Sequence, residues 1–127
     1  MIRLAVIGAG YWGRNLVRNY HELGALQLVC ETDAGARAAI AAAHPDVPVV
    51  DSVAATLADP RIDAVAIATP AATHGALVAQ ALAAGKHVFV EKPLCLDLAE
   101  ARALAAETGR RERVLMVGHM LLYHPAF

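Results

Sequence analysis

Aromatic residues and long apolar runs are both scarce in this sequence. Only 5% of its residues are aromatic although 57% are hydrophobic, so the core must be built mainly from Ala, Val, Leu and Ile. Such a core suits close packing of helices on a sheet. Every apolar run falls short of the roughly 20 residues that a membrane-spanning helix needs, so we expect no membrane association.

The sequence also has few cysteines and no large excess of charge of either sign. Cys30 and Cys95 are too few for a disulfide framework or a cysteine metal site, so we expect small buried thiols and a reducing, cytoplasmic location. The N-terminal apolar run is interrupted by glycine too early for a signal peptide. Eleven basic and 12 acidic residues give a net charge of −1. They form no basic stripe, so we expect no nucleic-acid partner.

The sequence does contain a glycine-rich turn between a short apolar run and a helical pattern. Residues 4–7 are Leu-Ala-Val-Ile, and Gly8, Gly10 and Gly13 follow with the spacing Gly-x-Gly-x-x-Gly. In a dinucleotide site the first glycine allows a sharp turn, the second lets a pyrophosphate approach, and the third lets the helix pack closely. An ordinary turn is the alternative, but the strand-like run before it favours dinucleotide binding.

Strand-length apolar runs alternate with helical patterns along the whole chain. The predicted strands are residues 2–7, 25–30, 47–50, 62–68, 86–90 and 114–117. The predicted helices are residues 11–23, 34–43, 52–58, 73–84 and 97–109, the last with a capping box formed by Asp97 and Glu100. This alternation predicts right-handed crossovers and a doubly wound parallel sheet, an α/β fold of the Rossmann type.

The end of the chain is apolar and has neither a helix cap nor a polar tail. We expect residues 1–118 to form a dinucleotide-binding domain and residues 119–127 to begin the connection to a C-terminal substrate domain that this chain lacks. The alternative is a last helical turn that docks on the domain's own core. An apolar face without its covering partner would favour a homo-oligomer.

Two acids follow the second predicted strand and are candidates for the ribose of the cofactor. A carboxylate there accepts both ribose hydroxyls and repels a 2′-phosphate, so the sequence favours NAD over NADP. Glu31 follows the strand directly and is the stronger candidate, whereas Asp33 is either a second ribose ligand or the cap of the next helix. Arg37 would weaken the preference for NAD, but we expect it to face solvent.

The loop after the fourth predicted strand lies where doubly wound sheets bind ligands. It contains Ala68, Thr69 and Pro70 and leads to His74. Thr69 and His74 are candidate donors to the ribose or phosphates of the cofactor, and Thr73 is expected to cap the helix that follows.

Glu91, Lys92 and Pro93 follow the fifth predicted strand, at the same edge. Pro93 restricts the backbone of Lys92 to an extended conformation and so fixes its direction. A lysine there can exchange a proton with a substrate hydroxyl or stabilise an oxyanion, so Lys92 is the catalytic candidate, with a solvated loop lysine as the alternative. Glu91 would orient Lys92 or hold a ribose hydroxyl. Tyr11 and Trp12 are candidate packing or lid residues over the cofactor.

His119 and His124 follow the sixth predicted strand and would be able to reach a substrate. Their spacing does not place both on one helical face, and neither a cysteine nor a carboxylate accompanies them. We therefore expect no metal site.

In this order, the glycine loop, Glu31, the loop from Ala68 to His74 and the stretch 85–93 resemble the N-terminal half of the glucose–fructose oxidoreductase/inositol dehydrogenase/rhizopine-catabolism (Gfo/Idh/MocA) family. The resemblance implies hydride transfer between NAD(P) and a carbinol carbon of a sugar or cyclitol, with Lys92 at the reacting hydroxyl. Stretches 11–16 and 117–125 look closer to members that act on nucleotide-linked amino-sugar acids.

The family pairs this domain with a C-terminal α/β domain that binds the sugar, mediates oligomerisation and supplies a partner for the lysine. The resemblance therefore implies that this chain binds a dinucleotide but is incomplete for turnover. A stand-alone dinucleotide-binding module and an oligomeric remnant without ligand are the alternatives.

Overall fold

A computed structural model describes residues 1–126 and contains one six-stranded sheet in which every neighbouring pair of strands is parallel. The order across the sheet is β3-β2-β1-β4-β5-β6, so the chain winds outward from β1 in one direction and from β4 in the other. The doubly wound α/β fold predicted from the sequence is confirmed. The strands are β1 (Leu4–Ile7), β2 (Leu26–Cys30), β3 (Val49–Val50), β4 (Ala64–Ile67), β5 (His87–Glu91) and β6 (Leu115–Gly118).

Two apolar clusters, one on each face of the sheet, form the core. Ala5 and Ile7 of β1 belong to one cluster, and Leu4 and Val6 belong to the other, because successive strand residues point to opposite faces. All four residues of β1 and all four of β4 are buried. Burial on both faces explains why these strands are continuously apolar in the sequence rather than alternating.

Five helices connect the strands, and most of their starts follow the sequence signals. They are α1 (Gly13–Glu22), α2 (Ala34–Ala43), α3 (Val53–Ala58), α4 (His74–Ala83) and α5 (Leu98–Arg110). Side-chain oxygens of Asp33, Ser52 and Asp97 accept hydrogen bonds from backbone N–H groups in the first turns of α2, α3 and α5. The caps predicted at Ser52 and Asp97 are therefore confirmed.

Glu100 differs from its predicted part in a reciprocal capping box. Its backbone N–H donates to Asp97, but its carboxylate lies directly over Gly75 of α4. A β-carbon at position 75 would overlap that carboxylate, so the contact joins α4 to α5 closely.

The segment after β6 forms a short 3₁₀ turn, Met120–Tyr123, and does not dock on the domain's own core. Its apolar side chains are 59% to 75% exposed. The alternative of a docked last turn is therefore wrong for residues 120–123, and Phe127 lies outside the described residues. Within residues 1–126, each helix is too short or too polar to cross a lipid bilayer.

Candidate dinucleotide-binding site

The glycine loop between β1 and α1 is shaped by two glycines that tolerate no side chain. Gly8 has φ +95°, and a β-carbon there would lie 2.8 Å from the carbonyl carbon and oxygen of Ala68. A β-carbon on Gly13 would lie 2.0 Å from the carbonyl oxygen of Gly8. Gly10 is different, because a β-carbon there would meet nothing within 4 Å. Gly10 therefore faces open space, as the approach of a pyrophosphate requires.

The start of α1 has features that favour an anion. Trp12 occupies the N-cap position without a side-chain cap, and the first turn contains no acid. The N–H groups of Arg14 and Asn15 already donate to the carbonyl oxygens of Gly10 and Trp12, at 3.2 Å and 2.9 Å. The positive end of the helix dipole is therefore the feature that would attract phosphate oxygens. The guanidinium carbon of Arg14 lies 5.1 Å from the ring centre of Tyr11, and the Tyr11 side chain is 82% exposed. These features fit a dinucleotide pyrophosphate.

The Glu31 carboxylate lies between the glycine loop and the turn after β2. Oε1 accepts from the backbone N–H of Ala9 at 2.9 Å, and Oε2 accepts from the backbone N–H of Asp33 at 2.9 Å. Glu31 is thus placed where an acid meets the adenosine ribose of a bound cofactor. The Asp33 carboxylate caps α2 by accepting from the N–H of Ala36 at 2.8 Å, which is the second of the two roles considered for it.

Arg37 does not face solvent, so that prediction is wrong. Its Nη1 donates to the carbonyl oxygens of Glu31 at 3.0 Å and Thr32 at 2.8 Å, and the residue is partly buried. The guanidinium satisfies carbonyl groups at the turn between β2 and α2. Helical position alone gave no sign of this contact, since the carbonyl groups that Arg37 binds belong to the preceding turn.

Cys30 ends β2 directly before Glu31 and has an exposed fraction of only 1%. Burial raises the pKa of the Cys30 thiol, and the negative charge of Glu31 adds to the rise. The thiol is therefore a neutral packing group, as predicted for this cysteine.

Two hydroxyl groups, those of Thr69 and Thr73, form hydrogen bonds that hold the loop after β4. The Thr73 hydroxyl donates to the carbonyl oxygen of Pro70 at 2.6 Å and lies 2.7 Å from the Thr69 hydroxyl. Because Thr73 has a single hydroxyl proton, Thr69 donates to Thr73, and the Thr69 oxygen keeps its acceptor capacity. The prediction that the Thr73 side chain caps α4 is wrong: residue 73 lies at the N-cap position but makes no side-chain cap bond.

His74 is 2% exposed, and protein carbonyl groups face both of its ring nitrogens. Nδ1 lies 2.6 Å from the carbonyl oxygen of Pro93, and Nε2 lies 2.8 Å from that of Thr69. Both nitrogens are thus engaged within the protein. His74 joins two loops of the site, and this differs from the predicted donation to ribose or phosphate.

The end of β5 carries Glu91 and Lys92 in different environments. Glu91 Oε1 accepts from the indole N–H of Trp12 at 2.8 Å, so this carboxylate ties the glycine loop to β5 and does not serve as the predicted orienting group for Lys92. Burial raises the pKa of the Tyr20 hydroxyl, and the charge of Glu91 adds to the rise. Lys92 is exposed, and its peptide bond to Pro93 is cis.

A cavity of about 750 Å³ opens at the carboxyl edge of β4, β5 and β6. Sequence reasoning predicted much of its lining, namely Trp12, Ala68, Thr69, His74, Glu91, Lys92 and His119. It missed the wall formed by Gly118 and the exposed 3₁₀ turn after it. A second cavity of about 410 Å³ shares Trp12 and Glu91 with the first. Among residues 1–126, no three His, Cys, Asp or Glu side chains are arranged to hold a metal ion.

Residues 2–119 match the sequence profile of an oxidoreductase family, Gfo/Idh/MocA, described as having an NAD-binding Rossmann fold. The chain belongs to the Gfo/Idh/MocA family. It corresponds to the N-terminal NAD-binding domain of that family, as the resemblance in the sequence implied.

Relatives of this Gfo/Idh/MocA domain are considerably longer. UDP-N-acetylglucosamine 3-dehydrogenase from Acidithiobacillus ferrooxidans is 41% identical over 98% of this chain and 39% of its own length. Its solved structure superposes with a TM-score of 0.89. The scyllo-inositol 2-dehydrogenase (NAD(+)) of Bacillus subtilis is 35% identical over 99% of this chain and 38% of its own length. GenD2 from gentamicin A biosynthesis, solved with NAD, is 34% identical with a TM-score of 0.90 and is covered over 36% of its length, against 98% of this chain.

Proposed function

We propose that this Gfo/Idh/MocA domain binds NAD along the carboxyl edge of its sheet and presents the nicotinamide to a substrate hydroxyl beside Lys92. The cavity of about 750 Å³ carries this proposal, because Trp12 of the glycine loop and Lys92 both line it. The glycine loop and the start of α1 would hold the pyrophosphate, and Glu31 would accept the ribose hydroxyls. The nicotinamide supplies hydride transfer, and the protein supplies orientation and proton transfer.

The preference for NAD over NADP is part of the proposal and is supported by charge. The Glu31 carboxylate would repel a phosphate on the 2′ position of the ribose. Arg37 is the nearby cation that would favour that phosphate, but its Nη1 is bonded to the carbonyl groups of Glu31 and Thr32. The Glu31 carboxylate therefore opposes NADP binding, while the Arg37 guanidinium, which would favour it, is already hydrogen-bonded within the protein.

The proposed substrate is a sugar, cyclitol or nucleotide-linked sugar whose hydroxyl carbon exchanges a hydride with the nicotinamide. The names of the two dehydrogenases above, which act on UDP-N-acetylglucosamine and scyllo-inositol, support this class. The 41% identity to the first favours a nucleotide-linked sugar. Lys92 would exchange a proton with the reacting hydroxyl or stabilise its charge.

The rest of the proposal concerns the whole protein. Residues 1–118 would be the cofactor domain and residues 119–127 the start of a connection to a substrate domain, since this chain spans 39% of the length of its dehydrogenase relative. Such a second domain would complete the substrate site and the turnover.

Self-association is supported by exposed apolar side chains on and after β6, including Met116, Leu121 and Leu122. The free thiols of Cys30 and Cys95 favour a cytoplasmic location.

Calorimetric titration of the chain with NADH and NADPH tests the cofactor assignment. We expect NADH to bind more tightly, and Glu31→Gln to bring the two dissociation constants closer together, because the substitution removes the charge that repels the 2′-phosphate. Asp33→Asn is the matched control, since it neutralises the neighbouring acid but keeps an oxygen for capping α2.

The Asp33→Asn control should keep the ratio of the NADH and NADPH dissociation constants found for the unmodified chain. A change of that ratio in Asp33→Asn but not in Glu31→Gln would assign the ribose to Asp33 instead. Failure of both nucleotides to bind a folded chain would reject the proposed function as a whole.

A further inference from the structure

Most of the cavity of about 410 Å³ is formed by residues to which NAD binding assigns no role. It lies between α1, which contributes Leu16 and Arg18, and strands β5 and β6, which contribute Phe89 and Met116. Cavities of roughly 300–1,000 Å³ with a mainly apolar lining and a few polar groups are the usual sites of small ligands. This second cavity therefore has the size of a ligand site.

The fold leaves this space because the two faces of the sheet carry different numbers of helices. α3, α4 and α5 supply buried side chains to one apolar cluster, whereas α1 and α2 supply them to the other. On the face with two helices, Phe89 is half-buried, and Met116, its register partner on β6, is 43% exposed. Within residues 1–126, this part of the sheet face is open.

Two polar side chains of α1 at the second cavity can meet a ligand. In the part of the chain that the structure describes, neither the Arg18 guanidinium nor the Asn15 amide is hydrogen-bonded to another residue. A guanidinium binds phosphate oxygens with paired, charge-assisted hydrogen bonds. An amide offers both a donor and an acceptor, and the rings of Phe89 and Tyr123 offer flat apolar surfaces. Amide and aromatic groups of this kind recognise the edge and the face of a nucleobase.

The two cavities meet at the hydrogen bond between Trp12 and Glu91. Five residues line both cavities, namely Trp12, Glu91, Gly118, His119 and Met120. Glu91 Oε1 accepts from Trp12 at 2.8 Å, and Oε2 would lie 3.1 Å from a β-carbon on Gly118. Lys92 lines the first cavity and Arg18 lines the second. A ligand that spans the junction would therefore meet a carboxylate near its middle and a cation towards each end.

We propose that the second cavity is a nucleotide subsite, which takes the nucleoside diphosphate of a nucleotide-linked sugar while the sugar lies beside Lys92. The phosphates bind Arg18, the base lies on Phe89, and sugar hydroxyls donate to Glu91 Oε2. Charge fixes this order, because Glu91 repels a phosphate but not a neutral sugar, and Arg18 attracts the phosphate. The proposal rests on the proposed function for the sugar and for Lys92.

Titration of the chain with UDP, followed by backbone amide NMR, tests the subsite without a dinucleotide. We expect the signals of Arg18, Phe89 and Met116 to shift, while those of Gly10 and Glu31 stay in place. Shifts at Gly10 and Glu31 alone would show that UDP enters the dinucleotide site, which would overturn the proposal. Shifts at Phe89 and Met116 on raising the concentration of the chain, with no further change on adding UDP, would assign the cavity to self-association instead.

Arg18→Gln tests the phosphate contact. We expect the dissociation constant of UDP to rise at least about tenfold, because a charge-assisted hydrogen bond is lost, while NADH affinity is unchanged. Arg102→Gln is the matched control, since it removes the same charge from an exposed arginine of α5 that lines neither cavity. Equal weakening in the two variants would indicate general charge attraction and overturn the subsite. A chain that binds NADH but not UDP would reject the subsite alone, whereas failure to bind NADH would reject the proposed function.

Discussion

At the scale of single residues, the site contains side chains that are already bonded and one that is exposed. Glu31 accepts from two backbone N–H groups, Glu91 accepts from Trp12, and both nitrogens of His74 face carbonyl groups. Lys92 is exposed at the wall of the cavity. The bonded side chains hold the loops in place, and Lys92 is the one of these four whose side chain makes no hydrogen bond to the described residues.

Lys92→Met should leave NADH affinity nearly unchanged, because the lysine is exposed and is proposed to meet the reacting hydroxyl rather than the pyrophosphate or the ribose. In a form of the protein that oxidises a substrate, we expect turnover to fall by roughly 10²–10⁴-fold, the usual contribution of a general acid or base. Steady-state kinetics and a nucleotide titration measure the two effects.

Lys92→Arg separates the two roles proposed for the lysine. Arginine keeps the positive charge but does not give up its proton in proteins. Activity retained in the arginine variant would indicate electrostatic stabilisation, whereas activity lost in both variants would indicate proton transfer. Full turnover in the methionine variant would exclude Lys92 from the chemistry.

At the scale of secondary-structure elements, the junction of β1 and α1 combines close packing with the proposed pyrophosphate site. Gly13 lets α1 begin against the carbonyl oxygen of Gly8, whereas the space over Gly10 is open. The same three-glycine motif thus contains two positions that the fold requires, Gly8 and Gly13, and one, Gly10, at which the fold leaves room for a side chain.

Gly13→Ala and Gly10→Ala should therefore have different effects. The alanine at 13 would overlap the Gly8 carbonyl, so we expect α1 to shift, with a loss of roughly 1–3 kcal/mol in the free energy of unfolding. The alanine at 10 should leave stability nearly unchanged but weaken NADH, because its methyl group occupies the space of the phosphates. Urea unfolding and nucleotide titration of both variants measure this. Equal stability losses in the two would contradict the assignment.

Element-scale features were accessible from sequence wherever the signal is local. The caps at Ser52 and Asp97 are set by neighbours three residues away, and the buried strands by their own apolar residues. Contacts between distant segments were not accessible. His74 meets a carbonyl 19 residues further along the chain, and Trp12 meets Glu91 79 residues away. Motif position identified these residues, but only the fold decides which of them bond to one another.

Local reasoning also failed where a side chain had two partners within reach. Thr73 lies at the N-cap position of α4, but its hydroxyl bonds to Pro70 and Thr69. Arg37 lies in the second turn of α2, but its long side chain returns to the carbonyl groups before the helix. In both residues the polar group satisfies an irregular turn, and helical periodicity gives no information about such turns.

At the scale of the whole molecule, the edge of the sheet opposite the site is held by charged groups. Arg3 and Asp63, which directly precede β1 and β4, form an ion pair at 3.1 Å, and Arg61 pairs with Asp59 at 2.7 Å. The ammonium of Lys86, before β5, is buried and donates to the carbonyl groups of Asp59 at 2.9 Å and Ile62 at 2.6 Å. These bonds join the starts of three neighbouring strands.

The two aspartates predict a loss of stability in acid. Hydrogen bonds from Arg61 and Arg3 hold the pKa of Asp59 and of Asp63 at about 2, against 3.8 for a free carboxyl. Between these values the unfolded chain binds more protons than the folded chain, so stability rises with pH there. The contribution is complete above the unfolded pKa and is lost as the pH falls from about 4 to about 2. Thermal unfolding at a series of pH values measures it.

Asp63→Asn tests the source of this dependence. Its melting temperature should fall less steeply over the same acidic range than that of the unmodified chain, because one of the two titrating carboxylates is gone. An unchanged slope would show that other groups cause the acid sensitivity. Both ion pairs lie at the surface, where the Arg61 and Arg3 side chains are 65% and 49% exposed, so the effect of one substitution should be modest.

The parallel arrangement of all six strands places these ion pairs and the glycine loop at opposite rims of a single sheet. Heat tolerance can therefore be engineered at one rim, by exchanging charged partners around Arg3 and Lys86, while the nucleotide chemistry at the other is left alone. Conversely, substitutions at Glu31, the proposed ribose ligand, should change the preference for NAD over NADP without disturbing those ion pairs. The thermal stability of this domain and its cofactor preference should therefore be open to change independently of each other.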